Sequence, residues 1–295
     1  MTIPLQHSTA QFYRHDAVRS HIALSHYRPF AKFRSDHNKR YIIVYFVLSD
    51  RNGLIRPVPK NAVWAEVGVY KGDFSQIVLD TCGPSRYYLI DNWKFDPDEH
   101  NPFRDTTENF SNFAGRVHWE HYGDDPNEHQ EQNYQAVVNR FSNEPCVRVV
   151  RARSVEGIES LPDSHLDVIY IDANHQYEYV LRDMMHARKK LKSGGIMLMD
   201  DFYEGPGGHE QNEGVMSAVN TFVKRHEYVY LAMSYGPFGN VALTDEPSSP
   251  FVRQYLENLK DSEFQFIGIS DVLVPNLRYK LYRKQNGDLR YVAML

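Results

Sequence analysis

Asp172, Asp200 and Asp201 each stand at the end of an apolar run, Leu166-Asp-Val-Ile-Tyr-Ile-Asp172 and Ile196-Met-Leu-Met-Asp200-Asp201. Such runs read as buried strands of a parallel sheet. The three carboxylates then meet on its carboxyl edge, where open α/β sheets bind ligands. Carboxylates gathered in one place repel each other unless a cation joins them, and oxygen donors of this type suit Mg²⁺, Ca²⁺ or Mn²⁺. An ion held there can bind two adjacent hydroxyls of a substrate and lower the pKa of one, making an alkoxide nucleophile. The same acids have other uses: Asp201 as a helix cap, or any of them as a direct hydrogen-bond partner of substrate or cofactor.

A second constellation lies upstream. Residues 62–69 form an apolar, β-branched run that closes in Glu66-Val-Gly68-Val-Tyr-Lys-Gly72. Residues 73–80 read as a helix with Asp73 as its cap, and Tyr87-Tyr-Leu-Ile-Asp91 as a short strand ending in an acid. Glycine lets backbone approach a ligand where a side chain would block it. An acid about 20 residues on, at the end of the next strand, can accept from both ribose hydroxyls. The pattern is E-x-G-x-x-x-G rather than the G-x-G-x-x-G of dinucleotide sites, so the unit reads as a nucleoside site.

On these residues the chain resembles the class I S-adenosylmethionine-dependent methyltransferases. Glu66, Gly68 and Gly72 match the family's glycine loop, and Asp91 matches the acid that holds the cofactor's ribose. The resemblance implies that Ser154 faces the adenine and that Trp93 and Asp172 complete the cofactor set. The stretch Ile171-Asp172-Ala-Asn174-His175-Gln-Tyr177-Glu178, with Gly194-Gly195 and Asp200-Asp201-Phe202, is similar to the macrocin and novobiocin sugar O-methyltransferases. It is more distantly similar to catechol O-methyltransferase. That likeness spans roughly residues 60–245 and implies Asp172, Asp200 and Asp201 as Mg²⁺ ligands. Where the sugar enzymes carry a second Asp as general base, this chain has Asn174, which takes no proton at neutral pH. His175, next to it, has the titration range for the task. His209, in the Gly-rich loop Gly205-Pro-Gly-Gly208-His209, is a second candidate base. An exposed loop histidine and a helix-capping His175 are the plain readings of the same residues.

The elements that position these groups alternate strand and helix. After residues 62–91 come a helix at 131–141, a strand at 146–152, the strand 166–172, a helix at 177–191, the strand 196–201, a helix at 215–225, and a strand pair at 228–233 and 240–243. The expected fold is therefore α/β: a Rossmann-like class I methyltransferase sheet, mostly parallel, with an antiparallel edge strand and helices on both faces. Residues 62–245 form the methyltransferase domain. Residues 1–61 are an N-terminal extension suited to capping the substrate pocket or to a dimer contact, which makes a homodimer one expectation. Within it, 11–24 reads as helix, while 41–48 is apolar all round and fits strand or helix. Residues 246–295 are a C-terminal extension packed on the same domain. It holds a helix at 251–260 and a hairpin around Gln285-Asn286-Gly287-Asp288. The insert from Asn92 to about 130, with Trp93, Phe95, Phe103, Phe110 and Trp119 among several histidines, is placed to form a substrate wall.

Composition narrows the function classes. The chain has 295 residues, 42% apolar, with a net charge of −5 and two cysteines. This gives no electrostatic footprint for nucleic acid and no disulfide framework. A polar start and the absence of a long apolar run predict a soluble, cytoplasmic protein with no membrane partner. The expected activity is O-methylation of a hydroxyl on a small molecule, a sugar or a glycosylated or polyketide-like product, with S-adenosylmethionine as cofactor and Mg²⁺ assisting. The alternatives are a metal-independent small-molecule methyltransferase with a His base, and a Rossmann-like nucleotide-sugar-binding protein.

Overall fold

The computed structural model describes residues 42–94, 125–202, 214–234, 239–283 and 289–294. Residues 41–295 form one compact unit. Its first half reads β1 (Ile43–Val47), α1 (Asn52–Ile55), β2 (Val63–Val67), α2 (Asp73–Cys82), β3 (Arg86–Asp91), α3 (Pro126–Arg140), β4 (Val147–Arg151), α4 (Ser154–Glu159), β5 (Leu166–Ile171) and α5 (Tyr177–Lys190). It continues through β6 (Leu191–Met199), α6 (Val215–His226), β7 (Val229–Ser234), β8 (Val241–Thr244), α7 (Pro250–Lys260) and β9 (Phe266–Ser270). A 3₁₀ turn (Asp271–Asn276) leads to the hairpin of β10 (Arg278–Arg283) and β11 (Leu289–Met294).

Nine strands form one sheet in the order β4-β3-β2-β5-β6-β8-β7-β1-β9. Strands β2 to β6 run parallel, β8 runs against both β6 and β7, β1 is parallel to β7, and β9 is antiparallel to β1. Alternate side chains of each central strand go to opposite faces. Val67, Ile90, Ile171 and Met199 pack with Ile158, Met184, Val219 and Phe222, from α4, α5 and α6. Trp64, Leu89, Tyr170 and Leu198 pack with Val78, Val137, Tyr255 and Leu259, from α2, α3 and α7. Both faces are covered, so the strands read as unbroken apolar runs.

The structure decides one open expectation and corrects others. Within the apolar segment 41–48, Ile43–Val47 forms strand β1 and joins the main sheet. The pair β7–β8 is antiparallel as expected, but β1 and β9 lie outside it and β9 is the rim. Helix α3 begins at Pro126, because the Asp125 side chain accepts from the amides of Asn127 and Glu128. Asp73 does not cap α2: Gly72, at φ 74°, is the cap, and Asp73 pairs with Arg140 at 2.8 Å. The expected helix 11–24, most of the insert and the Gln285–Asp288 turn lie outside the described residues. Among the described residues no helix is long and apolar enough to cross a membrane.

Candidate active site

The carboxyl ends of β2, β3 and β5 open onto a cavity of about 420 Å³, within the usual range for a small-molecule site. Its lining includes Glu66, Gly68, Asp91, Ser154 and Asp172, five of the residues expected to seat a cofactor. It also includes Arg51, Tyr70, Phe74, Tyr179 and Arg182, which the sequence reading did not single out.

The glycine loop is held from three sides. Gly68 has φ 89°, and a Cβ there would stand 1.8 Å from the carbonyl oxygen of Asp172. Only glycine lets β2 turn this close to the end of β5. Asp91 fixes the loop itself: Oδ2 accepts from the amides of Val69 (2.8 Å) and Tyr70 (2.9 Å), and Oδ1 from the amide of Trp93 (2.7 Å). Trp93 is buried and is not among the lining residues. Its indole N–H donates to the Tyr70 carbonyl at 2.8 Å, so it braces the loop from behind. Glu66 lies beneath the loop, 1% exposed, and its Oε2 accepts from Ser75 Oγ at 2.8 Å and from the Tyr87 hydroxyl. Burial outweighs those two hydrogen bonds and pushes its pKa up to about 8, so at neutral pH Glu66 is mostly an uncharged acid.

Across β2, the acids at the ends of β5 and β6 gather around an imidazole. His175 Nε2 lies 3.3 Å from Asp172 Oδ1, and Nδ1 lies 3.3 Å from Asp201 Oδ2. Asp200 is almost fully buried, and its Oδ1 accepts from the Tyr170 hydroxyl at 2.6 Å and from Asn240 Nδ2. Burial, then the charges of Asp172 and Asp201, push Asp200 up to about 8. Burial also works against ionised Asp172, but the hydrogen bond and charge of His175, with Arg51, hold that carboxyl below its ordinary value. Burial would lower His175, yet the hydrogen bond to Asp172 and the three carboxylates raise it to about 9.

The structure thus brings the acids together as expected, with one change. Among the described residues, Asp172, His175 and Asp200 each offer a ligand atom, and these lie within 4.8 Å of one another. Asp201, at φ 52°, stands behind His175 instead of completing that group. Asn174 accepts from the Gln176 amide at 2.9 Å and so closes an Asx turn just ahead of helix α5. His209 lies outside the described residues. Asn240 and Tyr170 were invisible as site residues because each occupies an apolar strand context. Arg51 belongs to Asp50-Arg-Asn-Gly53, whose composition reads only as a turn.

Residues 65–202 match the family model described as a methyltransferase domain. That span, a little under half the chain, runs from within β2 to just beyond Asp201, and includes both the glycine loop and the acid cluster. No curated protein sequence matches. Among solved structures, a putative methyltransferase from Streptococcus mutans in complex with SAH is 13% identical over 66% of this chain and 94% of that one, with a TM-score of 0.43. A protein from Corynebacterium glutamicum is 10% identical over 69% and 84%, TM-score 0.44. A spermidine synthase from Thermotoga maritima is 11% identical over 69% and 59%, TM-score 0.40. At TM-scores below 0.5 none of them bears on what the chain acts on. The matched span is thus similar to a methyltransferase domain, and it carries most of the cavity lining described above. Arg51 and Asn240, which touch the acid cluster, fall outside the matched span.

Proposed function

We propose that the protein transfers the methyl group of S-adenosylmethionine to a hydroxyl of a small molecule, such as a sugar or a glycosylated or polyketide product, with a divalent ion assisting. The observation that carries this reading is the group of Asp172, His175 and Asp200 beside the cofactor cavity. Gly68 and Gly72 shape the loop over which the cofactor lies, Asp91 Oδ1 has an acceptor site left for a ribose hydroxyl, and Ser154 faces the adenine. The methyl of a sulfonium is electrophilic, so transfer needs in-line positioning above all.

The donor set fits a divalent ion, with a nitrogen that makes Mn²⁺ as apt as the expected Mg²⁺. An ion bound there supplies Lewis-acid stabilisation of a hydroxyl as its proton leaves. In this reading Asp201 accepts from His175 Nδ1–H and so turns Nε2 toward the ligand position, the usual carboxylate–histidine arrangement. Tyr170 and Asn240 fix Asp200 through one oxygen. In this reading His175 serves as a ligand whose lone pair is engaged by the ion, in place of the general base expected from the sequence.

One observation favours a second reading. The Arg51 guanidinium and the protonated His175 already offset much of the carboxylate charge, so the cluster is stable without metal. Asp172, ionised and partly open to the cavity, would then take the acceptor's proton. Dialysis against EDTA separates the two. In the first reading turnover disappears, returns with Mn²⁺ or Mg²⁺, and S-adenosylhomocysteine still binds. Asp201→Asn, tolerated at positive φ, should then raise the ion concentration needed for half-maximal turnover by roughly 10- to 100-fold. Undiminished turnover in EDTA gives the function to the metal-free reading.

A further inference from the structure

We infer that Arg51, supplied by the chain before the matched domain, is the receptor for the carboxylate of the cofactor's amino-acid tail. The inference rests on reading the cavity as an S-adenosylmethionine site. Arg51 precedes α1, and its side chain reaches across to the ends of β2 and β5. Nη1 makes both polar contacts, 3.4 Å to the Tyr170 hydroxyl and 3.7 Å to Asp172 Oδ2, while Cζ lies 5.0 Å from the Phe74 ring centroid. The Nε–Nη2 edge of the fork has no protein partner among the described residues, and Arg51 lines the cavity. A planar edge with two parallel N–H donors is the shape that a carboxylate takes bidentately.

Position along the sheet points the same way. Asp91 ends β3, Gly68 follows β2 and Asp172 follows β5, three neighbouring strands. The distance from β3 to β5 is two strand spacings, roughly 10 Å. A ligand with its ribose at Asp91 runs over Gly68 and brings its amino-acid tail to the β5 side. There the tail meets a guanidinium for its carboxylate, and Asp172 Oδ2 has the charge to suit its ammonium. Asp172 Oδ1 is turned to His175 instead. The other cavity cations are placed differently. Lys71, Lys94, Arg153 and Arg182 are exposed, with Lys71 Nζ 4.9 Å from the Tyr70 ring and Arg182 Cζ 4.7 Å from the Tyr179 ring.

Calorimetric titration of the wild type, Arg51→Met and Arg51→Lys with S-adenosylhomocysteine and with 5′-methylthioadenosine tests this. The second ligand keeps the nucleoside and lacks the amino-acid tail. Arg51→Met should weaken S-adenosylhomocysteine by ~10- to 100-fold and leave methylthioadenosine within about twofold. Arg51→Lys should fall between, since it keeps the charge without the fork. Equal weakening of both ligands would make Arg51 a prop of the site, and an unchanged affinity for S-adenosylhomocysteine would remove it from recognition. Either result overturns the inference and leaves the cofactor reading standing. A wild type that binds neither ligand overturns both.

Discussion

Glu66 shows how a residue can match a motif and serve it indirectly. It lies under the loop as a largely neutral acid, bonded to two hydroxyls. Its pKa is 4.5 when unperturbed and about 8 in the fold. The folded state therefore keeps a proton that the unfolded chain releases as pH rises from about 4.5 to 8. The stabilising effect of that retained proton is complete below 4.5 and is lost through this window, at up to ~1.4 kcal/mol per pH unit. Glu66→Gln keeps an acceptor for Ser75 and Tyr87 and cannot ionise. In urea titrations at pH 5.5 and 8, the wild type should lose stability more steeply than the variant. Parallel losses would mean that Glu66 is charged in the fold.

At the scale of elements, the loop after β2 depends on a contact that no other residue type allows. Gly68→Ala would set a methyl against the Asp172 carbonyl at an unfavourable φ. A cost of about 3 kcal/mol or more in denaturant midpoint is expected, together with loss of S-adenosylhomocysteine binding. An unchanged midpoint would mean that the loop and β5 are not in register as described. This loop was legible in the sequence because its signals are local: glycines at fixed spacing, then an acid closing the next strand. The alternation of strands and helices along the central region was legible for the same reason. The start of α3 was also written locally, as Asp125 followed by Pro126 and Glu128, but the expectation began the helix at 131. Segment 41–48 was ambiguous because a strand buried on one side and a core helix can share composition. Arg51 could not be read as a site residue at all, since its partners Tyr170 and Asp172 lie over a hundred positions away and no local pattern marks them.

At the scale of the molecule, both segments placed outside the domain contribute to its sheet. Residues 43–47 come from the extension 1–61, and residues 266–270 from the extension 246–295. Ile269 is 8% exposed and packs in the core, whereas Ile267 is 52% exposed. Ile269→Asp should therefore lower the unfolding midpoint by the equivalent of ~3 kcal/mol or more. Ile267→Lys should leave it within about 0.5 kcal/mol. Equal tolerance at the two positions would detach β9 from the folded unit.

The place of β1 also sets an order of events during synthesis. Its strand partners are β7 and β9, with Ile43 opposite Ser270. The segment that leads directly into Arg51 is among the first described parts of the chain to leave the ribosome, yet it has no strand to pair with until β7 has been made. Loop-closure entropy delays such distant pairings, so β2 to β6 can assemble while the N-terminal strand still waits. A growing chain would then have its glycine loop and acids in place before the arginine was seated beside them, and full grip on the cofactor would await the strands that hold β1.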